Sequence, residues 1–143
     1  MSDVDSTTLI ADDFKVTANT PLRLGDSWST RGLLEYSLIT SSNRGIQAVA
    51  RTIEEKTGSS LVDLMHSFIH KNALVQTHFI NPTGLDTHSA LAGSESSALD
   101  LARIAGIIIE QREELAKWTT QEKKKFYSQK GNTKAKHLSL IHI

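Results

Sequence analysis

Ser41 and Asn43, in the run Thr40-Ser41-Ser42-Asn43-Arg44-Gly45, are the side chains of this sequence best suited to chemistry. A serine hydroxyl can relay a proton, and an asparagine carboxamide two positions on can hold a substrate amide by donating and accepting at once. The Lys56-Thr57-Gly58 triplet offers a cation and a hydroxyl, but its glycine falls where a helix is expected to end, so it reads as a helix terminator. His66 and His70 lie one helical turn apart and could share a metal. However, Ser67 stands where a zinc peptidase needs its glutamate, and two histidines without a third ligand close no site, so neither a metal nor a cofactor is expected. His78 has no serine or carboxylate that the sequence pairs with it, and is expected to pack in a loop.

The elements that must position these residues follow from hydrophobic periodicity. A first helix is predicted from Thr30, with Leu33, Leu34, Ser37 and Leu38 on one face, ending at the polar break Thr40 to Asn43. A second is predicted from about Gly45 to Lys56, with Ile46, Val49, Ala50 and Ile53 inward and Gly58 as its C-terminal cap. Ser60 and Asp63 form a capping box opening a third helix, whose stripe of Leu61, Leu64, Met65, Phe68 and Ile69 is expected to be core. Asn81-Pro82-Thr83-Gly84 has the composition of a type I turn. A further helix should start at Ser96 or Ser97, with Asp100 completing a capping box and Ala98, Leu101, Ala102, Ala105, Ile108 and Ile109 inward. Residues 1 to 29 read as loops with one strand pair. The stretch from Thr119 to His137 is polar, with Phe126 and Tyr127 as its only sizeable apolar residues and Lys123-Lys124-Lys125 as a solvated face.

Composition removes several function classes. The length of 143 residues suits one domain, and 16 basic against 16 acidic residues leave no net field to attract nucleic acid or anionic lipid. With no cysteine, a disulfide scaffold, a thiolate nucleophile and cysteine-ligated zinc are all excluded, while either redox compartment is allowed. The first residues are acidic where a secretory signal would be basic. The longest apolar stretch, Ile104 to Ile109, is broken by Gly106 and falls far short of the roughly 20 residues that span a bilayer. Leu138 to Ile143 turn abruptly apolar and resemble the in-frame translation of a sequencing adapter, so the domain is expected to occupy residues 1–137 and these six residues to be non-biological.

Three segments in order, Leu22 to Asn43, Thr77 to Asp86 with its Asn-Pro-Thr-Gly-Leu-Asp loop, and Ser97 to Ala102, resemble the serine-type D-alanyl-D-alanine carboxypeptidases. These are the low-molecular-mass penicillin-binding proteins that trim peptidoglycan stem peptides, and the resemblance covers most of residues 22 to 137. It implies an α+β fold of the β-lactamase/DD-peptidase type, of which this chain holds mainly the helical part. It also implies that an upstream serine, activated by the lysine of a Ser-x-x-Lys motif, attacks the carbonyl before the terminal D-alanine to form an acyl-enzyme. Ser41 would then carry a proton to the leaving amine, and Asn43 would bind the substrate amide and orient the lysine. A strand-borne Lys-Thr-Gly would hold the terminal carboxylate beside the oxyanion hole. The implied partners are a stem peptide ending in D-Ala-D-Ala and, as inhibitors, β-lactams, in an extracytoplasmic setting. Membrane attachment of the parent is not visible in the sequence.

The sequence departs from that pattern in three ways. It contains no Ser-x-x-Lys; its Lys56-Thr57-Gly58 begins 13 positions after Asn43, at a helix end; and Arg44 stands where the family commonly has aspartate. The expectation is therefore a gene fragment, opened at an internal methionine and inactive by itself. Two alternatives are a non-catalytic helical interaction module or pseudoenzyme, with Ser41 and Asn43 merely capping the second helix, and a serine β-lactamase-like hydrolase sharing the Ser-x-Asn logic. The Asn-Pro-Thr-Gly-Leu-Asp loop favours the carboxypeptidase.

Overall fold

In the computed structural model, residues 5–17, 21–87, 91–120, 124–129 and 135–136 are described. The expected adapter residues 138–143, the first four residues, Thr20 and Lys123 lie outside them. Strand β1 (Ser6–Thr8) pairs antiparallel with β2 (Ser27–Ser29), Thr7 opposite Trp28, which supplies the strand pair expected in the first 29 residues. Between them runs a 3-10 turn, Ala11–Phe14.

Ser29 ends β2 and caps α1 (Thr30–Thr40), its hydroxyl accepting from Gly32 N at 3.1 Å. After the break comes α2 (Asn43–Thr57), closed by Gly58 at φ +70°, whose N–H returns to the Glu54 carbonyl at 2.8 Å. Ser60 opens α3 (Leu61–Lys71) by accepting from Asp63 N at 3.1 Å. The chain then forms β3 (His78–Phe79), antiparallel to β4 (Ser94–Glu95), followed by α4 (Ala98–Gln111) and α5 (Glu113–Thr119). A last pair, β5 (Lys125–Phe126) and β6 (Ala135–Lys136), is also antiparallel. The turn at residues 81–84 is an Asx turn: Asn81 Oδ1 accepts from Thr83 N at 3.0 Å and Gly84 N at 2.8 Å, with Gly84 at φ +70°.

One core gathers Leu9, Leu22, Trp28, Leu33, Tyr36, Ile39, Ala48, Val49, Trp118 and Phe126. Its aromatic centre is Tyr36, tilted against Trp28 at 5.3 Å and edge-on to Phe126 at 5.4 Å. Thr7, Thr30 and Thr52 are also buried, and they satisfy one another: Thr7 Oγ1 lies 3.0 Å from both other hydroxyls, joining β1, α1 and α2.

Several expectations about burial are corrected. Leu38 is exposed, and Tyr36 and Ile39 turn inward, because α1 meets β1 and β2 as well as α2 and α5 and so buries a wider arc than one stripe. On α3 only Ile69 is buried, while Leu61, Met65 and Phe68 are half-buried and Leu64 is exposed. The face of α4 read as inward is mostly outward, with Leu101 56% and Ile109 60% exposed. Among the described residues α4 packs chiefly on α5, so most of its apolar surface has no neighbour to cover it. Phe126, read as part of a polar tail, is core, and Lys124 is no solvated bystander: it pairs with Glu35 of α1.

Candidate functional site

The break between α1 and α2 is a single sharp corner. Ser41 terminates α1 in the left-handed region at φ 54°, ψ 45°, a conformation non-glycine residues rarely adopt. Ser42 turns inward, is buried, and caps α2 by accepting from Gly45 N at 3.2 Å. The N-cap of α2 is therefore Ser42, which corrects the alternative that gave the capping of the second helix to Ser41 and Asn43; Ser41 closes α1 through its backbone, its N–H returning to the Ser37 carbonyl. Ser41 is left exposed at the corner, with its hydroxyl not spent on closing a helix end.

Gly45 makes the corner possible. A Cβ there would stand 1.9 Å from Ser37 Oγ and 3.2 Å from Ser37 Cβ, so the first turn of α2 presses directly on α1. Ser37 is itself buried, and its hydroxyl donates to the Leu33 carbonyl at 2.6 Å.

Asn43 begins α2, and its Nδ2 donates to the Thr17 carbonyl at 3.1 Å. A carbonyl can only accept, so the amide nitrogen is fixed toward Thr17 and Oδ1 is left as the acceptor on the other side. Next to it, the Arg44 guanidinium lies over the Phe14 ring at 4.7 Å, and its buried Nε has no hydrogen-bond partner among the described residues. Seven residues on, Arg51 grips the same segment. Its Nε and Nη2 each reach the buried carboxylate of Asp13 at 3.2 Å, Nη2 also donates to the Thr8 carbonyl, and Nη1 pairs with Glu55. Residues 8–17 are thus strapped along α2 at both ends, and the strap roofs Asn43. Burial opposes the Arg51 charge, but hydrogen bonds and attraction from Asp13 and Glu55 outweigh it and raise its pKa above the ordinary guanidinium value.

The other sequence candidates fall elsewhere. Lys56 and Thr57 close α2, with Lys56 paired to Asp5 at 2.7 Å and Thr57 Oγ1 donating to the Ile53 carbonyl at 2.9 Å. At about 1.5 Å of rise per residue, the 13 positions from Asn43 to Lys56 place that triplet about 20 Å along the helix, out of reach of Ser41, as its reading as a terminator requires. His66 finds a histidine partner, but it is His78 and not His70: the two rings stack with centroids 5.3 Å apart. Thr17 and Phe14, which hold Asn43 and Arg44, carried no sequence signal, since the contacts span 26 and 30 positions.

This fold recurs in penicillin-binding proteins. Similar solved structures include a D-alanyl-D-alanine carboxypeptidase from Mycobacterium tuberculosis, with a TM-score of 0.76 and 21% identity, covering 94% of this chain and 49% of that one. Penicillin binding protein 6B from Escherichia coli superposes with a TM-score of 0.71 at 27% identity, over 87% of this chain and 40% of that one. Among curated proteins, the D-alanyl-D-alanine endopeptidase of Pseudomonas aeruginosa is 28% identical over 103 residues, which is 72% of this chain and 31% of the relative. The fold is that of the DD-peptidases, of which the chain holds mainly the helical part. The peptidase S11 family, D-alanyl-D-alanine carboxypeptidase, matches residues 1–140, and the chain belongs to it. It spans about a third of the curated relative and from about a third to half of the solved ones.

Proposed function

We propose that this chain is part of a serine-type D-Ala-D-Ala carboxypeptidase that removes the terminal D-alanine of peptidoglycan stem peptides through an acyl-enzyme. Within it Ser41 relays the proton to the leaving amine, and Asn43 binds the substrate amide. The observation that carries this reading is the division of labour at the corner: Ser42 takes the helix cap, and Ser41 is held exposed in a strained backbone conformation. The backbone of Ser41 closes α1 while its hydroxyl, used by neither helix cap, stays exposed, which favours a functional role for the side chain. Asn43 supports it further, because the Thr17 contact orients the carboxamide and leaves Oδ1 to accept a substrate N–H or a lysine ammonium.

The nucleophilic serine, its lysine and the carboxylate-binding Lys-Thr-Gly strand are assigned to segments other than residues 1–143, and the chain by itself is inactive. The substrate places the enzyme outside the cytoplasm, and β-lactams that mimic D-Ala-D-Ala are its inhibitors. Among the described residues no helix is long and apolar enough to cross a membrane.

The test is expression of the source gene with its flanking sequence, followed by fluorescent-penicillin labelling and D-alanine release from a peptide ending in D-Ala-D-Ala. Labelling is expected, with Ser41→Ala and Asn43→Ala each lowering peptide turnover by roughly 10²-fold or more, as for loss of one general acid–base or oxyanion contact. A gene product that neither labels nor releases D-alanine would sink the reading and leave the non-catalytic module. Rapid hydrolysis of the bound penicillin would instead select the β-lactamase.

A further inference from the structure

The two arginines of α2 both face the strap of residues 8–17, and they are used differently. Arg51 spends Nε, Nη1 and Nη2 on Asp13, Glu55 and the Thr8 carbonyl. Arg44, the second residue of α2, lies with its guanidinium over the Phe14 ring at 4.7 Å and makes no hydrogen bond or ion pair among the described residues. A ring face takes up none of the five N–H donors of a guanidinium. The carboxylates of the strap are both taken, Asp12 by Lys15 at 2.8 Å and Asp13 by Arg51 at 3.2 Å. The first turn of α2 carries no acidic residue either, and the N-terminus of a helix disfavours a cation. Arg44 is thus a half-buried charge with its Nε out of solvent and unpaired, at a place that stability alone does not favour. Its neighbour Asn43 reaches Thr17, three positions beyond Phe14 on the same strap. With consecutive Cα atoms about 3.8 Å apart, the carboxamide and the guanidinium stand together at the start of α2.

Resting on the carboxypeptidase reading, we propose that Arg44 is a specificity residue of the same site: it pairs with a carboxylate on the side chain that precedes D-Ala-D-Ala in the substrate. The terminal carboxylate is assigned to the Lys-Thr-Gly strand, so the group met by Arg44 is a second, upstream one. A guanidinium suits that task, because its fork matches a carboxylate with two parallel hydrogen bonds and its charge persists at any working pH. A peptide whose side chain ends in a carboxamide loses the charge of that pair, and the enzyme therefore discriminates the free acid from the amide.

The test uses the product of the source gene with its flanking sequence, and D-alanine release from acetyl-Glu-D-Ala-D-Ala and acetyl-Gln-D-Ala-D-Ala, which differ only in that group. The acid should be turned over with a kcat/KM at least about fivefold higher, mostly through KM, and the gap should narrow as salt is raised. Arg44→Met keeps an unbranched chain against Phe14 and should bring the ratio to within about twofold of one, while Arg44→Lys should keep part of it. The ratio in the unmodified enzyme gives an answer that needs no variant. A ratio near one in an enzyme that labels with penicillin and releases D-alanine from both peptides would overturn the role of Arg44 and leave the carboxypeptidase reading standing. A loss shared equally by both peptides in Arg44→Met would overturn it too, making Arg44 a packing residue for Phe14. No D-alanine from either peptide, and no penicillin labelling, would overturn both readings.

Discussion

The Asn43 carboxamide and the Thr17 carbonyl meet at 3.1 Å across 26 positions of sequence, so the first residue of α2 is oriented by a strap that packs along the same helix. The far end of that strap is fixed by Arg51 and Asp13, which makes the orientation of Asn43 depend on an ion pair that touches neither Ser41 nor Asn43.

Removing that ion pair should be costly. Asp13 is 1% exposed, and Arg51→Ala would leave its carboxylate buried with, among the described residues, only the Ile10 N–H at 2.9 Å as donor. The expected loss is about 3–5 kcal/mol of unfolding free energy, measured by urea denaturation, because an uncompensated buried charge costs more than the pair contributes. Arg51→Lys should recover only part, since an ammonium cannot reproduce the two-pronged contact. The raised Arg51 pKa means its stabilisation is fully present below the ordinary guanidinium value and is lost only as pH climbs through the raised one. The wild-type to Arg51→Ala difference should therefore gain no pH dependence from this group across the neutral range.

Among the described residues, two non-glycine residues sit at positive φ, Ser41 at 54° and Ala73 at 51°. Ala73→Gly removes a Cβ penalty and should stabilise the chain by about 1 kcal/mol. Ser41→Gly should gain a similar amount, and in the complete protein it should lose turnover as Ser41→Ala does. A Ser41→Gly variant that melts no higher than wild type would show that the corner stores no strain.

Gly45→Ala should destabilise by about 1–3 kcal/mol, the usual cost of overpacking, because its methyl would collide with Ser37 Oγ. Combining it with Ser37→Ala removes the 1.9 Å conflict and leaves the 3.2 Å one with Cβ, so the double variant should recover much of the loss. Purely additive effects would place the strain elsewhere.

What the sequence revealed and what it hid divide along the range of the interactions. Helix starts at Ser60 and Ser97, the stop at Gly58 and the Asn81 turn are set by contacts within about four positions, and each stands where the pattern placed it. The Ser41–Asn43 corner was visible for the same reason. Burial was read less well, because periodicity names an apolar face without saying what covers it: α1 is covered on more than one side, and much of α4 on none. Contacts spanning longer separations, Asn43 to Thr17, Arg51 to Asp13 and Tyr36 to Phe126, have no local signature at all.

Asp100 shows how a correctly placed residue can have its role misread. The sequence gives it to a capping box with Ser97, and Ser97 Oγ does accept from Asp100 N at 3.1 Å. The carboxylate, however, is 1% exposed and turns to the loop before β3, where Oδ2 accepts from Gln76 N at 2.8 Å and Thr77 Oγ1 at 3.0 Å. Arg103, half in solvent and 3.5 Å from Oδ1, adds little. Asp100→Ala should therefore cost about 2–4 kcal/mol, more than loss of a helix-end contact, since the partly buried Gln76 N–H and the buried Thr77 hydroxyl both lose a charged acceptor. Hydrogen exchange separates the two roles: the Gln76 amide should lose protection in Asp100→Ala, whereas Ser97→Ala should cost about 1 kcal/mol and leave that amide protected. Equal exchange at Gln76 in both variants would return Asp100 to the status of an ordinary cap.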